Sequence, residues 1–408
     1  MKKIYIKINL LIIFLISCCS IQTNSISAGN ALPFLNGIDE NDYINRYSAD
    51  SSLIFRDQNN NMIQPDDLPY KYFASKGVNA ARIRVWVGDE SSGNLQNAID
   101  NAKAAKLAGM HTLLVVFLSE KFSDNICCEK PIPSIFDKPT FNEKLRAIKK
   151  YVSGLMLTFK ANSLSFDMYA VGNEVMYCLA GEKNINDDMS INIRKFKRMS
   201  RILKESYSVI RKEMGSNSKF LLHAPDAPYE NYILSIDDPD DTVEGEKLFD
   251  MTTLPLDAST FFYYMIDVFN VPVDYISTSF YPLQFGSESF SKFKNRVEML
   301  YANHGKPFII SEWSYAMAPF PADSPWLHVY EPPGPFFNVP ANGYSFNLNN
   351  QELFVNDLLD WAKAAPEVAG AFYWGPMLNN IVWKNMALFN PDGSVRPAVN
   401  SLIKGSIP

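Results

Sequence analysis

Short apolar runs alternate with longer stretches of helical spacing along most of this chain. The apolar runs predict strands at 34–39, 79–87, 111–118, 166–173, 220–223, 273–280, 307–311 and 370–374. Between them, apolar side chains recur three and four residues apart. Leu95, Ala98, Ile99 and Ala102 form one such stripe, and Phe141, Leu145, Ile148, Val152, Leu155 and Phe159 another. Ile193, Phe196, Met199, Leu203 and Ile210 mark a long helix, and Phe290, Phe293, Val297 and Leu300 the next. Phe354, Leu358 and Trp361 stripe the last. Shorter helices are expected near 66–76, where Gly77 stops the chain, and at 258–269.

Eight strands alternating with helices predict an α/β protein with a parallel sheet. Strands that are apolar almost throughout fit a sheet covered on both faces. A doubly wound open sheet would alternate in the same way, but no glycine-rich phosphate loop follows the first strand. We therefore expect a single-domain (β/α)8 TIM barrel spanning residues 33–405. Two insertions interrupt the alternation: an acidic stretch at 236–250 and a proline-rich loop at 318–349. The second follows the seventh strand and would hang over the barrel mouth, where functional loops belong.

Ahead of the alternating region lies a targeting segment. Lys2, Lys3 and Lys7 precede a mostly apolar run from Ile8 to Ile16, too short to cross a membrane, so residues 1–27 read as a signal peptide. Leu15-Ile16-Ser17-Cys18 resembles a bacterial lipobox. On that reading the signal ends at residue 17, and a lipidated Cys18 anchors the chain to a membrane. The alternative is ordinary cleavage near Ala28 and free secretion. Both make this an exported protein, either secreted or a cell-surface or outer-membrane lipoprotein. Beyond the signal stand Cys127, Cys128 and Cys178, an odd number. One disulfide from Cys178 to either of the other two, or three free thiols, are the open alternatives.

The formal charge of −6, with no basic run, argues against nucleic acid as a partner. Aromatic residues make up 13% of the chain, enough to supply stacking faces for sugars. The scattered histidines and cysteines have no metal-site spacing, and no serine lies in a G-x-S-x-G elbow. No cofactor and no metal are expected.

Glu174, in Ala170-Val-Gly-Asn-Glu174, closes the fourth predicted strand, and Glu312, in Phe308-Ile-Ile-Ser-Glu312, closes the seventh. Each alone has a plainer reading, as a helix N-terminal acid or a salt-bridged strand-end acid. Together they point elsewhere. Strand C-termini of a (β/α)8 barrel share one mouth, and two carboxylates there are the machinery of glycoside hydrolysis. Asn173 can offer its amide to a sugar 2-hydroxyl. Arg82 and Arg84 share one face of the second strand and need acidic partners if buried. Glu312 is the natural partner for Arg84, while Arg82 suits a structural ion pair lower in the barrel. Tyr281, at the end of the sixth strand, can hydrogen-bond the nucleophile. Trp374 can floor the reacting sugar and Trp86 can add a second platform; barrel packing is the plainer role for both. His223, at the end of the fifth strand, can bond a sugar hydroxyl or be a satisfied core histidine.

At this point the chain resembles glycoside hydrolase family 53, the endo-β-1,4-galactanases. The matching segments are Gly77-Val-Asn-Ala-Ala-Arg-Ile-Arg-Val-Trp86, the Ala-Lys-x-Ala-Gly-Met stretch ending at Met110, and Val171-Gly-Asn-Glu174. Later come Asp274-Tyr-Ile-Ser-Thr-Ser-Phe-Tyr-Pro282, Tyr373-Trp-Gly-Pro376 and Trp383-Lys-Asn-Met-Ala-Leu-Phe389. The resemblance implies that Glu174 is the acid/base and Glu312 the nucleophile of a retaining enzyme. It also implies that Arg84, Tyr281 and Trp374 are the matching arginine, tyrosine and stacking tryptophan. The expected partner is a polysaccharide, β-1,4-galactan, acted on by a monomer. The chain departs from the family at Val115-Val-Phe-Leu-Ser-Glu120, where Phe117 replaces a subsite histidine and Leu118 a tyrosine. Trp313 stands for the usual threonine, and Gly375 and Lys384 for the usual acids. The stretch from Trp374 to Trp383 is shorter than the loop that holds calcium in bacterial members, so no calcium is expected there. The altered third-strand subsite keeps two rivals open: a β-glycanase acting on mannan or β-glucan, and a non-catalytic surface glycan-binding lipoprotein.

Overall fold

In the computed structural model, eight parallel strands close into a barrel: β1 (Leu35–Asp39), β2 (Ala80–Val85), β3 (His111–Val116), β4 (Met168–Val171), β5 (Lys219–Ala224), β6 (Tyr275–Phe280), β7 (Phe308–Trp313) and β8 (Val368–Trp374). Each strand pairs with its neighbours in chain order, and β1 pairs with β8 to close the ring. The structure describes residues 32–44, 53–88, 93–120, 132–186, 191–225, 233–234, 249–250, 257–285, 289–320, 339–378 and 383–405. The expected leader with Cys18, the pair Cys127 and Cys128, and most of both insertions lie outside these residues. Pro33–Pro408 forms one compact unit, and the expected TIM barrel is the observed fold.

The connecting helices are α1 (Tyr70–Ser75), α2 (Leu95–Leu107), α3 (Phe141–Ala161), α4 (Ile193–Met214), α5 (Ala258–Phe262), α6 (Ser289–His304) and α7 (Leu348–Ala364). Side chains of Asn94, Thr140, Asn192, Asp257 and Asn347 cap the starts of α2, α3, α4, α5 and α7. The Thr140 hydroxyl accepts from the Glu143 amide while the Glu143 carboxylate accepts from the Thr140 amide, a capping box at the head of α3. Two elements differ from the expected helices. The stretch at 66–76 splits into a 3-10 turn, Pro65–Asp67, and α1, because Pro69 interrupts the run. The helix at 258–269 changes to a π turn at Tyr263–Val268. After β8 a 3-10 helix, Pro397–Gly405, packs along α7 and occupies the place of an eighth helix. Among the described residues, no helix is long and apolar enough to cross a membrane.

Alternation along the strands divides the barrel into two layers. Ala81, Ile83 and Val85 of β2 belong to one large cluster with Ala98, Ile99 and Ala102 of α2, so they face the helices. Arg82 and Arg84 lie on the opposite, inner face and are buried. In β7, Phe308 and Ile310 pack in the same outer cluster. Strict alternation would send Glu312 outward with them. It does not: β6 pairs Thr278 with Ile310 and Ser279 with Glu312, leaving Ser311 as an extra residue. This bulge shifts the phase of the strand by one, so Trp313 joins the outer cluster and Glu312 turns in.

Candidate active site

Glu312 therefore lies inside β7, not just past its end, and only 3% of it is exposed. Its carboxylate has two close partners. Tyr281 Oη donates to Oε2 at 2.9 Å, and Arg82 Nη1 lies 2.9 Å from Oε1. The arginine expected beside Glu312 was Arg84. The structure reverses the two. Arg84 Nε lies 3.0 Å from Asp39 Oδ1 and its Nη2 3.4 Å from Asp42 Oδ2, and its guanidinium stacks on the Trp374 ring at 4.5 Å. Arg82 instead bridges Glu312, Asp39 and the side-chain oxygen of Asn173, which accepts from Nη2 at 2.5 Å. The reason is position along β2: Arg82 reaches across the barrel interior, while Arg84 lies one pleat nearer the mouth, under Trp374.

Glu174 lies three residues beyond β4. The chain leaves that strand at Gly172, whose φ is +80°, and Glu174 itself has φ +47°. A non-glycine residue in the left-handed region is strained, and such strain collects at functional positions. Gly172 cannot be replaced without movement, since a Cβ there would fall 2.1 Å from Val175 Cγ1. The turn that results aims Glu174 at β6, where its Oε1 accepts a hydrogen bond from the Ser279 hydroxyl. Ser279 is also the register partner of Glu312. The two glutamates thus meet on opposite sides of one residue, with Arg82 joining Glu312 to the Asn173 that precedes Glu174.

Charge and burial set the protonation states. Burial pushes the Glu312 carboxyl up to about 6; Asp39 adds to this, while Arg82, the Tyr281 hydrogen bond and Arg84 pull it back. Tyr281 is pushed well above the usual phenol range by burial and by the charges of Glu312 and Glu174, so it stays a donor. Burial works against the charge of Arg84, but Asp39, Asp42, Glu312 and Glu40 outweigh it and raise its pKa. His223 is held well below the usual imidazole range by burial and then by Arg82, so it is neutral. Its Nδ1 lies 3.1 Å from Asn173 Oδ1 and its Nε2 3.0 Å from Ser279 Oγ. Both nitrogens are engaged inside the protein rather than toward a sugar hydroxyl.

The aromatic residues divide. Trp374 lies beside the site, with Trp383 at 6.3 Å and Tyr281 in the same cluster. Trp86 packs edge-to-face on Phe117 and beneath Gly93, whose Cβ would fall 2.1 Å from the indole. It is buried and has no open face for a sugar in this structure. Phe117 and Leu118 are also buried, so the altered third-strand positions present no polar group. Gly375 has φ +57°, and a Cβ there would meet Leu378 at 2.3 Å, so an acid at this position would not fit this chain.

Sequence reasoning missed Asp39 and Ser279. Asp39 touches both arginines, and the signal for it was an acid closing the first strand opposite two inward arginines. Ser279 carried no chemical signal, being one of three Ser or Thr residues in β6. Cys178 is disulfide-bonded, and its partner falls outside the described residues. Among the described residues, no group of three or more His, Cys, Asp or Glu side chains could hold a metal ion.

Compared with known proteins, the chain matches the model of glycosyl hydrolase family 53 over residues 36–241 and 253–402. It is 25% identical over 368 residues to an uncharacterized protein in the bgaB 5′ region of Niallia circulans, covering 86% of this chain and 89% of that one. To a probable arabinogalactan endo-β-1,4-galactanase A of Aspergillus terreus it is 23% identical over 307 residues, 74% of this chain and 76% of that one. Among solved structures it resembles the Ignisphaera aggregans GH53 catalytic domain, with TM-score 0.67, 20% identity, and coverage of 93% of this chain and 98% of that one. A fungal β-1,4-galactanase structure gives TM-score 0.65 and 16% identity, covering 90% and 98%.

Proposed function

The chain belongs to glycosyl hydrolase family 53, and on that premise we propose that it is a retaining endo-β-1,4-galactanase. As a family member it is a glycoside hydrolase acting on polysaccharide. The finer reading rests above all on one observation: the half-buried Glu174 and the buried Glu312, 138 positions apart in the sequence, flank Ser279.

In the proposed double displacement, Glu312 attacks the anomeric carbon while Glu174 protonates the leaving oxygen. Arg82 and the Tyr281 hydroxyl hold the nucleophile and favour its ionised form against the burial that opposes it. Glu174, now ionised, takes a proton from water, and that water releases the sugar from Glu312. Microscopic reversibility assigns one residue to both proton steps. Asn173, which accepts a hydrogen bond from Arg82, meets the sugar 2-hydroxyl in this reading, and Trp374 floors the reacting ring. Retention needs the carboxyl groups roughly 5–5.5 Å apart, and shared neighbours of this kind favour so short a separation.

Galactan is preferred as substrate because the chain's motifs resemble those of the endo-β-1,4-galactanases and the Aspergillus relative carries that activity in its description. The buried Phe117 and Leu118 favour a second reading, in which the same chemistry acts on mannan or β-glucan. We further propose export of the chain, on the strength of its leader sequence. The test is hydrolysis of purified β-1,4-galactan beside mannan and β-glucan, with Glu312→Ala as control and NMR of the first-formed anomer. Galactan oligosaccharides of retained configuration are expected. Inverted product would overturn the mechanism, and products from another polymer alone would overturn the substrate.

A further inference from the structure

Behind Glu174 stands a hydrogen-bonded chain with no place in the mechanism above. Glu174 Oε1 meets Ser279 Oγ, Ser279 Oγ lies 3.0 Å from His223 Nε2, and His223 Nδ1 lies 3.1 Å from Asn173 Oδ1. The backbone N–H of Glu174 also donates to His223 Nδ1, at 3.4 Å. Nδ1 thus faces both an acceptor and a donor. A neutral imidazole can satisfy only one of them at a time, and which one depends on its tautomer.

We propose that Ser279 and His223 are positioning residues that hold the Glu174 carboxyl in both of its protonation states, with the His223 tautomer following that state. The proposal rests on the reading of Glu174 as acid/base. When Glu174 is ionised, the Ser279 hydroxyl donates to it, His223 Nε2–H donates to Ser279 Oγ, and bare Nδ1 accepts the Glu174 amide. When Glu174 is protonated, its O–H donates to Ser279 Oγ, and the Ser279 hydroxyl donates to bare Nε2. Nδ1–H then donates to Asn173 Oδ1. Between the two states one proton is added to Glu174 and one imidazole proton moves from Nε2 to Nδ1. The ring stays uncharged in both.

Three features support this. His223 is 2% exposed, so bulk water does not offer its nitrogens alternative partners. The charged groups around it are Arg82, whose charge acts on the ring and whose Nη2 donates to Asn173 Oδ1, and Glu174; β6 contributes the hydroxyl of Ser279. The cation opposes an imidazolium, which keeps the ring neutral and able to exchange tautomers. An acid/base must also lose and regain its proton in each turnover, and a carboxyl held in only one state would swing away in the other.

The test uses the full chain in two measurements. In 15N-histidine NMR from pH 4 to 9, His223 is expected to pass from the Nδ1–H to the Nε2–H tautomer as pH rises, without an imidazolium signal. Ser279→Ala should leave that tautomer fixed. In kinetics on galactan, or on whichever polysaccharide the wild type hydrolyses, Ser279→Ala should lower kcat by roughly 10- to 100-fold. It should also move the alkaline limb of kcat/KM up by about one pH unit, because a donor to the carboxylate is lost. Ser279→Thr, which keeps the hydroxyl, should restore the limb. A single tautomer across the pH range, or an alkaline limb unmoved in Ser279→Ala, overturns the proposal. Failure of the acid/base reading would show separately, as equal losses in Glu174→Ala on polymer and on an activated aryl β-1,4-galactobioside.

Discussion

Arg82 Nη1 lies 2.9 Å from Glu312 Oε1, and both side chains are almost wholly buried. Removing one member of such a pair strands the other charge in the barrel, which costs about 3–5 kcal/mol. Arg82→Met should therefore destabilise the fold by that order in urea titrations at pH 7. It should also move the acid limb of kcat/KM above its wild-type position near 6, since Arg82 pulls the Glu312 carboxyl down more than Arg84 does. Arg84→Met should move that limb less. Equal shifts in the two variants would show that Glu312 does not distinguish between the arginines.

Ionising Glu312 is costly in the folded chain, and this has a pH signature. Its carboxyl titrates near 6 when folded and near 4.5 as a free side chain. The penalty is absent below 4.5, grows between 4.5 and 6, and is fully present above 6, where it reaches about 2 kcal/mol. Glu312→Gln cannot ionise. Its stability relative to wild type should rise by up to about 2 kcal/mol as pH goes from 4 to 7. Denaturant midpoints at several pH values measure this, and a pH-independent difference would contradict the raised pKa.

Glu312→Ala should abolish turnover on every substrate while circular dichroism reports an intact fold. Glu174→Ala should lower turnover of polymer by about 100-fold or more. On an activated aryl glycoside, which needs little help from an acid, the loss should be smaller in the first step. Azide added to Glu174→Ala should then restore part of the rate, by attacking the glycosyl-enzyme without a base. Normal activity in Glu312→Ala would remove it from the nucleophile's role.

Gly172→Ala tests the turn that carries Glu174. The new Cβ would fall 2.1 Å from Val175 Cγ1 and 2.8 Å from Leu179 Cδ1, at φ +80°. Thermal unfolding should report a loss of about 1–3 kcal/mol. Activity should fall further than stability explains, because the displaced turn moves the carboxyl off Ser279. A stable variant of full activity would mean that the turn relaxes without moving Glu174.

Much of this molecule was legible because barrel strands are buried on both faces and so leave apolar runs that stand out in the chain. All eight strands end within two residues of their expected ends, and Glu312 was found as the acid closing such a run. Where helical spacing was long, as in α3 and α4, the helices followed it. The short helices near 66–76 and 258–269 were the ones that changed form, since Pro69 and a crowded run of aromatics outweigh a weak periodicity.

By itself, then, the sequence determined the repeating architecture and a glutamate at the end of each of two of its apolar runs. Those follow from local patterns: period, apolar length, and an acid at the end of a run. Only the tertiary structure decided which groups touch them. A bulge at Ser311 turned Glu312 inward against the parity of its own strand, because pairing with β6 and β8 governs phase and local alternation does not. The pairing of Arg82 rather than Arg84 with Glu312, the anchoring of both by Asp39, and the seat of Glu174 on Ser279 all depend on distances across a closed ring. Such distances join residues from four strands, and no spacing along one strand contains them.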